Sequence, residues 1–388
     1  MTDYSTAVNK PLRILHVLSG LGQGGIEKWL VNLTAEFQRQ YGGDVQSEFM
    51  TLLSSGGYYE GTLERMGCRV HHCQLAWRNL PDFIRRLAVQ LRRGRYDVVH
   101  CHADYLSGLV LPVARASGVR GRIGHVHNTK FAFQAPRPLV RHLAGRLLRR
   151  MELWNGGWCV GTSSAAIDAY LGVLRNRMRH QVCPCGIPCG EYRAVVSIPK
   201  STIRQSLNWP RDIKVLLHAG RHTEQKNLFF LLDIFAELLS REKNMLCVLA
   251  GSGPLTPDLQ ARAEALGLVE KVRFLGIRDD VPRLMRAADL FILPSLWEGF
   301  GLVIVEAQAV GLRSLVADVL PADVQLIEDL VHRLSLQELP AVWADRALQL
   351  LREPPTDVNF CFGAVEASPF SITNSAKTLM ALYKESQA

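Results

Sequence analysis

Two carboxylates set eight positions apart open the chemical reading of this chain. They are Glu298 and Glu306, in Pro294-Ser-Leu-Trp-Glu-Gly-Phe-Gly-Leu-Val-Ile-Val-Glu-Ala307. The segment follows an apolar strand at Asp289–Leu293. A strand, a glycine-bearing loop and then a helix start is an arrangement that binds an anion through free backbone amides. The partial positive charge at the helix start adds to the attraction. Gly299 and Gly301 let a ligand approach the backbone, and the free amides around Phe300, Gly301, Leu302 and Val303 would face an anion. Glu306 falls in an otherwise apolar helix, where a carboxylate needs a partner.

A second constellation is His218-Ala-Gly-Arg-His-Thr-Glu-Gln-Lys-Asn227. Arg221 and Lys226 leave the carboxyl end of a strand, where open α/β sheets bind ligands. A guanidinium and an ammonium there suit a diphosphate leaving group. A third is Gly121-Arg-Ile-Gly-His-Val-His-Asn-Thr129, which puts His127 at a strand end, with His100 and His102 in similar positions. The fourth is the loop Gly20-Leu-Gly-Gln-Gly-Gly25. It fits the spacing of a dinucleotide fingerprint at Gly20, Gly22 and Gly25, but the acidic partners available, Asp44 and Glu48, do not fall at an obvious strand end. Cys183, Cys185 and Cys189 form the one cysteine cluster; without a second pair they read as a loop with incidental thiols, and no metal is expected.

These residues need strands and helices to hold them. Strands are expected at Leu12–Leu18, Ser47–Leu53, Arg69–Cys73, Asp97–Cys101, Gly121–Val126 and Gly157–Gly161. A second series runs through Ile213–Ala219, Met245–Ala250, Val272–Leu275, Asp289–Leu293 and Ser314–Ala317. Helical periodicity fills the gaps, for example at Leu228–Arg241 and Pro257–Leu266. The alternation predicts two doubly wound α/β domains. Four prolines between Pro184 and Pro210 mark a linker, and Ser371–Glu385 reads as a closing helix. The expected domains are 1–195, 196–370 and a returning helix at 371–388.

The 388 residues carry a net charge of +9, unevenly spread. Residues 1–200 hold 26 Lys and Arg against 13 Asp and Glu, and residues 201–388 hold 19 against 23. A basic half suggests an anionic partner, and charge alone admits nucleic acid or phospholipid headgroups. Arg137–Arg150 and Ile84–Arg93 alternate apolar residues with arginine at helical spacing, as a membrane-surface helix or a core-facing helix with a solvated basic face would. No recognition helix or aromatic-basic stacking surface for nucleic acid is evident. No run spans a bilayer, the polar start Met1–Pro11 does not read as a signal peptide, and nine scattered cysteines fit reduced thiols. A cytoplasmic protein is expected, at the inner face of the plasma membrane if the basic half meets lipid.

Together these motifs resemble the family-4 retaining glycosyltransferases of the GT-B fold, closest to the bacterial capsular and exopolysaccharide branch. The likeness rests on Glu298 and Glu306, on Gly220, Arg221, Lys226 and Asn227, on Gly24, Gly25 and Glu27, on His125–Thr129, on the Cys185-Gly-Ile-Pro188 turn, and on the Asn374…Leu382-Tyr383 helix. It covers nearly the whole chain. The resemblance implies two Rossmann-like domains facing an interdomain cleft, with the C-terminal helix packing back on the N-terminal domain. It implies a metal-independent transfer of a hexose-type sugar from a nucleotide-sugar, with a UDP-sugar the expected donor and a GDP-sugar the alternative, to a glycan or polyprenyl-diphosphate-linked glycan. The nucleotide-sugar is a substrate, and no cofactor is implied.

By that resemblance Arg221 and Lys226 hold the diphosphate, Glu298 meets sugar hydroxyls, Glu306 the ribose, and backbone near Ile277 the base. His127 reaches the donor sugar, and Gly24, Gly25 and Gly220 allow close approach. Two departures stand out. The family's Gly-Gly turn is replaced by Ala317-Asp-Val-Leu-Pro-Ala-Asp323, and its turn asparagine by Cys185. A nucleotide-sugar 2-epimerase and a non-catalytic glycan-binding protein share the fold and remain the alternatives.

Overall fold

The computed structural model describes residues 10–53, 56–128, 138–155 and 157–388, and the chain divides into two compact units. The first runs to Gly186 and resumes at Ile372; the second is Ile187–Ser371. The crossover lies nine residues before the expected boundary at 195/196. The segment expected to be a linker is instead two helices, Cys189–Val196 and Lys200–Ser206. Pro188 and Pro199 stand at their N-caps, so these prolines start helices rather than space domains. Ile187, Tyr192, Val195 and Ile203 are buried in the second unit's core, which fixes that segment to it.

The first unit is a seven-stranded parallel sheet. Its strands are β1 Leu12–Leu18, β2 Val45–Thr51, β3 Val70–His72, β4 Val98–Cys101, β5 Gly121–Val126, β6 Trp158–Gly161 and β7 Arg179–Val182. The order is β3-β2-β1-β4-β5-β6-β7. Buried apolar residues such as Leu15, Val17, Phe49, Met50, Val98 and Val99 dominate the inner strands, as in a parallel sheet covered on both faces. Leu15, Val17 and Val99 pack on one face with Phe83, Leu87 and Leu91 of the helix Leu80–Gly94. The C-terminal helix Ile372–Glu385 belongs to this unit. Thr373 Oγ1 donates to Glu36 Oε1 (2.7 Å) in the helix Gly25–Tyr41, and Ser375 Oγ donates to the Pro184 carbonyl (3.0 Å).

The second unit repeats the plan with β8 Lys214–Ala219, β9 Met245–Ala250, β10 Val272–Gly276, β11 Leu290–Leu293, β12 Ser314–Ala317 and β13 Val331–Leu334. Its order is β10-β9-β8-β11-β12-β13, all parallel. Strand order reverses between β1 and β4 in one unit and between β8 and β11 in the other. Each reversal leaves a crevice beyond the carboxyl ends of the strands, where ligands of such sheets bind. The nine cysteines are all free and all buried. No described helix is long and apolar enough to cross a membrane.

Candidate functional site

In the second unit the two loops that leave β8 and β11 are locked together. Lys226 Nζ donates to Glu298 Oε1 at 2.5 Å, with the two side chains only 15% and 6% exposed. Ser295 Oγ donates to the same oxygen (2.6 Å), and Gln225 Nε2 donates to the Trp297 carbonyl (3.0 Å). The Leu296 amide donates back to the Gln225 carbonyl (2.8 Å). A buried ion pair is worth its desolvation only when further hydrogen bonds satisfy the carboxylate, and here they do. Gln225 and Ser295 were not singled out from sequence. Their signal is weak, because their role depends on two loops 70 residues apart meeting.

Gly301 is the residue before the helix Leu302–Ala309 and has φ 82°, a left-handed conformation that glycine adopts freely. Phe300 is buried against Phe370 (ring centroids 5.0 Å), which holds this loop to the unit's core. The helix start and its free amides thus sit beside the Lys226–Glu298 pair in sequence and structure. Glu306, about one turn into the helix, has the partner its apolar surroundings demand. The buried Tyr192 hydroxyl hydrogen-bonds it, and burial together with this carboxylate holds that phenol well above its ordinary range.

Arg221 is exposed; its carbonyl accepts from the Thr223 amide (2.9 Å), and no hydrogen bond or ion pair of its side chain is found among the described residues. It is the loop's available cation, whereas Lys226 is already engaged. Gly220 donates to the Ala250 carbonyl (2.9 Å). A Cβ on Gly251 (φ 142°) would fall 1.9 Å from the Gly220 carbonyl oxygen, so the turns after β8 and β9 touch and admit only glycine there. Ile277 follows Gly276 at the end of β10 and is half exposed.

In the first unit, Gly24 caps the helix Gly25–Tyr41, and the Lys28 amide donates to its carbonyl (3.1 Å). Glu48, one of the acidic residues weighed as a partner of the glycine-rich loop, is a structural hub. It accepts from Arg13 (2.8 Å) and Tyr96 (2.7 Å) and contacts His71 (2.8 Å).

His127 leaves the end of β5 but does not stand alone. Its Nε2 lies 3.1 Å from His102 Nδ1, and His102 Nε2 lies 3.1 Å from His16 Nδ1. His125 Nδ1 lies 3.1 Å from His100 Nε2, whose other nitrogen is 2.8 Å from the Tyr383 hydroxyl. All five imidazoles are buried on the sheet face beneath Trp29, whose ring meets three of them edge-on. Burial takes His127 down to about 3, so it acts as a neutral hydrogen-bonding group. Asp104 accepts from the His127 amide (3.4 Å) and the Asn128 side chain (3.3 Å), and burial pushes its carboxyl up to about 6. Thr129 of the same motif lies outside the described residues.

Residues 199–361 match the family model described as glycosyl transferases group 1, and residues 24–186 match the glycosyl transferase 4-like domain. EpsF of Bacillus subtilis, a protein named as a glycosyltransferase, is 32% identical over 336 residues, covering 86% of each chain. An Escherichia coli UDP-Gal:alpha-D-GlcNAc-diphosphoundecaprenol alpha-1,3-galactosyltransferase is 27% identical over 243 residues, 59% of each chain. Among solved structures, Anabaena Alr3699/HepE in complex with UDP superposes with a TM-score of 0.76 at 17% identity, covering 96% of this chain and all of that one.

Proposed function

The chain belongs to the family-4 glycosyltransferases of GT-B fold, in their exopolysaccharide branch, and from that premise we propose that it moves a hexose from a UDP-sugar, with retention at the anomeric carbon, to a glycan or polyprenyl-diphosphate-linked glycan. The observation that carries this reading is the buried Lys226–Glu298 pair fixed beside the helix start at Gly301. It joins a cation, a carboxylate and free amides in one rigid place. The UDP bound to the Anabaena neighbour and the UDP-Gal and diphosphoundecaprenol in the Escherichia coli relative's name support the choice of donor and acceptor class.

In this reading the bond from the anomeric carbon to phosphate breaks first, leaving positive charge on the sugar ring and negative charge on the diphosphate. Stabilising that leaving group is the largest contribution a protein can make. Arg221, Lys226 and the amides from Phe300 to Leu302 do so with no need of a divalent ion. Glu298, held by Lys226 and Ser295, accepts from sugar hydroxyls. Glu306 takes the ribose while Tyr192 fixes its rotamer, and backbone near Ile277 meets the base. His127, being neutral, adds no charge, and it meets the sugar by exchanging its contact with His102 or Cys185 for a sugar hydroxyl. Gly24, Gly25 and Gly220 keep loops clear of side chains, and the acceptor hydroxyl gives its proton to the departing phosphate.

The test is nucleotide release with a panel of UDP- and GDP-sugars, with product configuration read by NMR. Arg221→Ala should lower kcat/KM by about 10²-fold or more while leaving the unfolding midpoint unchanged, because the side chain is exposed. Lys226→Ala should lose activity and also about 3 kcal/mol of stability, since it strands Glu298 buried and unpaired by its cation. Full turnover in both variants overturns the assignment.

A further inference from the structure

The five-histidine cluster exceeds what sugar transfer asks of the first unit, since only His127 has a part in it. One nitrogen from each of His102, His125 and His127 lies within 4.8 Å of the other two. His102 Nδ1 and His127 Nε2 are already 3.1 Å apart. Two ligands at adjacent corners of a tetrahedral zinc site with bonds near 2.0 Å stand about 3.3 Å apart, so this pair needs almost no adjustment. His125 Nε2 is buried, and the Cys183 backbone is the hydrogen-bond partner of that ring, which a metal would displace.

The remaining nitrogens of these three rings all face outward to a partner. His102 Nε2 meets His16, His125 Nδ1 meets His100, and His127 Nδ1 meets Cys185 Sγ at 3.9 Å. His100 in turn is held by Tyr383 (2.8 Å). Metal-bound histidines characteristically spend their second nitrogen in this way, which fixes ring orientation and tautomer. Burial keeps the imidazoles neutral, the form that binds a metal. His102 and His127 are each 5% exposed, whereas His16, His100 and His125 are 0–1% exposed.

We propose that His102, His125 and His127 form a binding site for one borderline transition-metal ion of the Zn²⁺ class, with His16, His100 and Cys185 as the outer partners and the fourth position open. Three imidazoles with no carboxylate favour zinc, copper or nickel over magnesium or calcium. An ion here occupies His127 Nε2 and so withdraws that residue from the sugar, making the site inhibitory. That last consequence rests on the role of His127 proposed above; ion binding itself does not.

Chelator-stripped full-length protein without donor is titrated with Zn²⁺ by calorimetry, and with Co²⁺ by visible absorption. One equivalent is expected to bind, with Co²⁺ bands of a low-coordinate nitrogen site. His102→Gln and His125→Gln should abolish binding, and His16→Ala should weaken it about 10- to 100-fold. His180→Ala, on β7 and bonded to the Met178 carbonyl, should leave it unchanged. A silent titration, or binding equally strong in the folded His102→Gln and His125→Gln variants, overturns the proposal. If those variants fail to fold, the wild-type Co²⁺ spectrum decides, and absence of nitrogen-ligand bands overturns it. With the site confirmed, Zn²⁺ should inhibit the wild type. Binding without inhibition would remove the sugar contact of His127 and leave the ion site standing.

Discussion

Glu152 is a carboxyl group shut inside the first unit at 1% exposure. Tyr170 donates to Oε2, while Oε1 makes no hydrogen bond. Burial raises the group to about 8 from an ordinary 4.5. A raised folded-state value means that its stabilising contribution is complete below about 4.5 and is lost as pH climbs through 8. Glu152→Gln keeps the shape without the titration. Urea unfolding at mildly acid and mildly alkaline pH should therefore show the wild type losing stability across that window and the variant losing less. An identical pH slope in the two proteins would refute the assignment. At this scale the sequence disclosed the residues whose chemistry is announced by neighbours on the chain, such as Glu298 after a strand or Arg221 in a glycine loop. It did not disclose Ser295, Gln225 or Tyr192, because each acts on a residue brought near by folding alone. His127 was legible as a strand-end residue, while its connection through His102 to His16 needed β1, β4 and β5 laid side by side.

The helix Pro138–Trp154 carries an exposed apolar stripe. Leu143, Leu147 and Trp154 are 56%, 60% and 81% exposed, and the spacing of 4 and 7 residues puts them on one face with the exposed Arg146 and Arg150. Arg137 and the side chains up to His142 lie outside the described residues. The combination of apolar residues and arginine suits the headgroup region of an anionic bilayer. Vesicles containing anionic lipid should bind the protein, with binding weakened by salt and by Leu147→Ser with Trp154→Ser. Retention unaltered by both changes would contradict that role. The helix Leu80–Gly94 is a poorer match, since Asp82 already engages Arg85 and Arg86 (2.8 and 2.9 Å). Among strands, those buried on both faces were readable, with Gly121–Val126, Met245–Ala250 and Ser314–Ala317 falling where expected. The edge strands β7 and β13 were not, because Arg-His-Gln-Val and Val-His-Arg-Leu are only partly buried and offer no apolar run.

For the molecule as a whole, the two crossings between units lie side by side. Ile187 pairs with Ser371 in a parallel bridge, and the Ile187 amide donates to the Phe370 carbonyl (2.7 Å). The second unit is thus inserted into the first through neighbouring residues and has a continuous core of its own. A fragment spanning 187–371 should fold alone and bind UDP, gaining about 2.7 kcal/mol of stability at a hundredfold excess over Kd. A fragment that folds without any UDP-dependent shift would remove the second unit as the donor's holder. The doubled α/β alternation made both units legible, but their seam was misplaced by nine residues. Pro188 and Pro199 begin helices instead of spacing domains, and the burial of Tyr192 that fixes the segment to the second unit is a tertiary fact.

Entry and exit through one bridged pair also has an evolutionary and practical meaning. Two cuts a hydrogen bond apart release the whole second unit as a cassette. Recombination between related genes could replace it without disturbing the sheet of the first unit, so that on the proposed reading the sugar delivered can change while the surface that recognises the recipient is inherited intact.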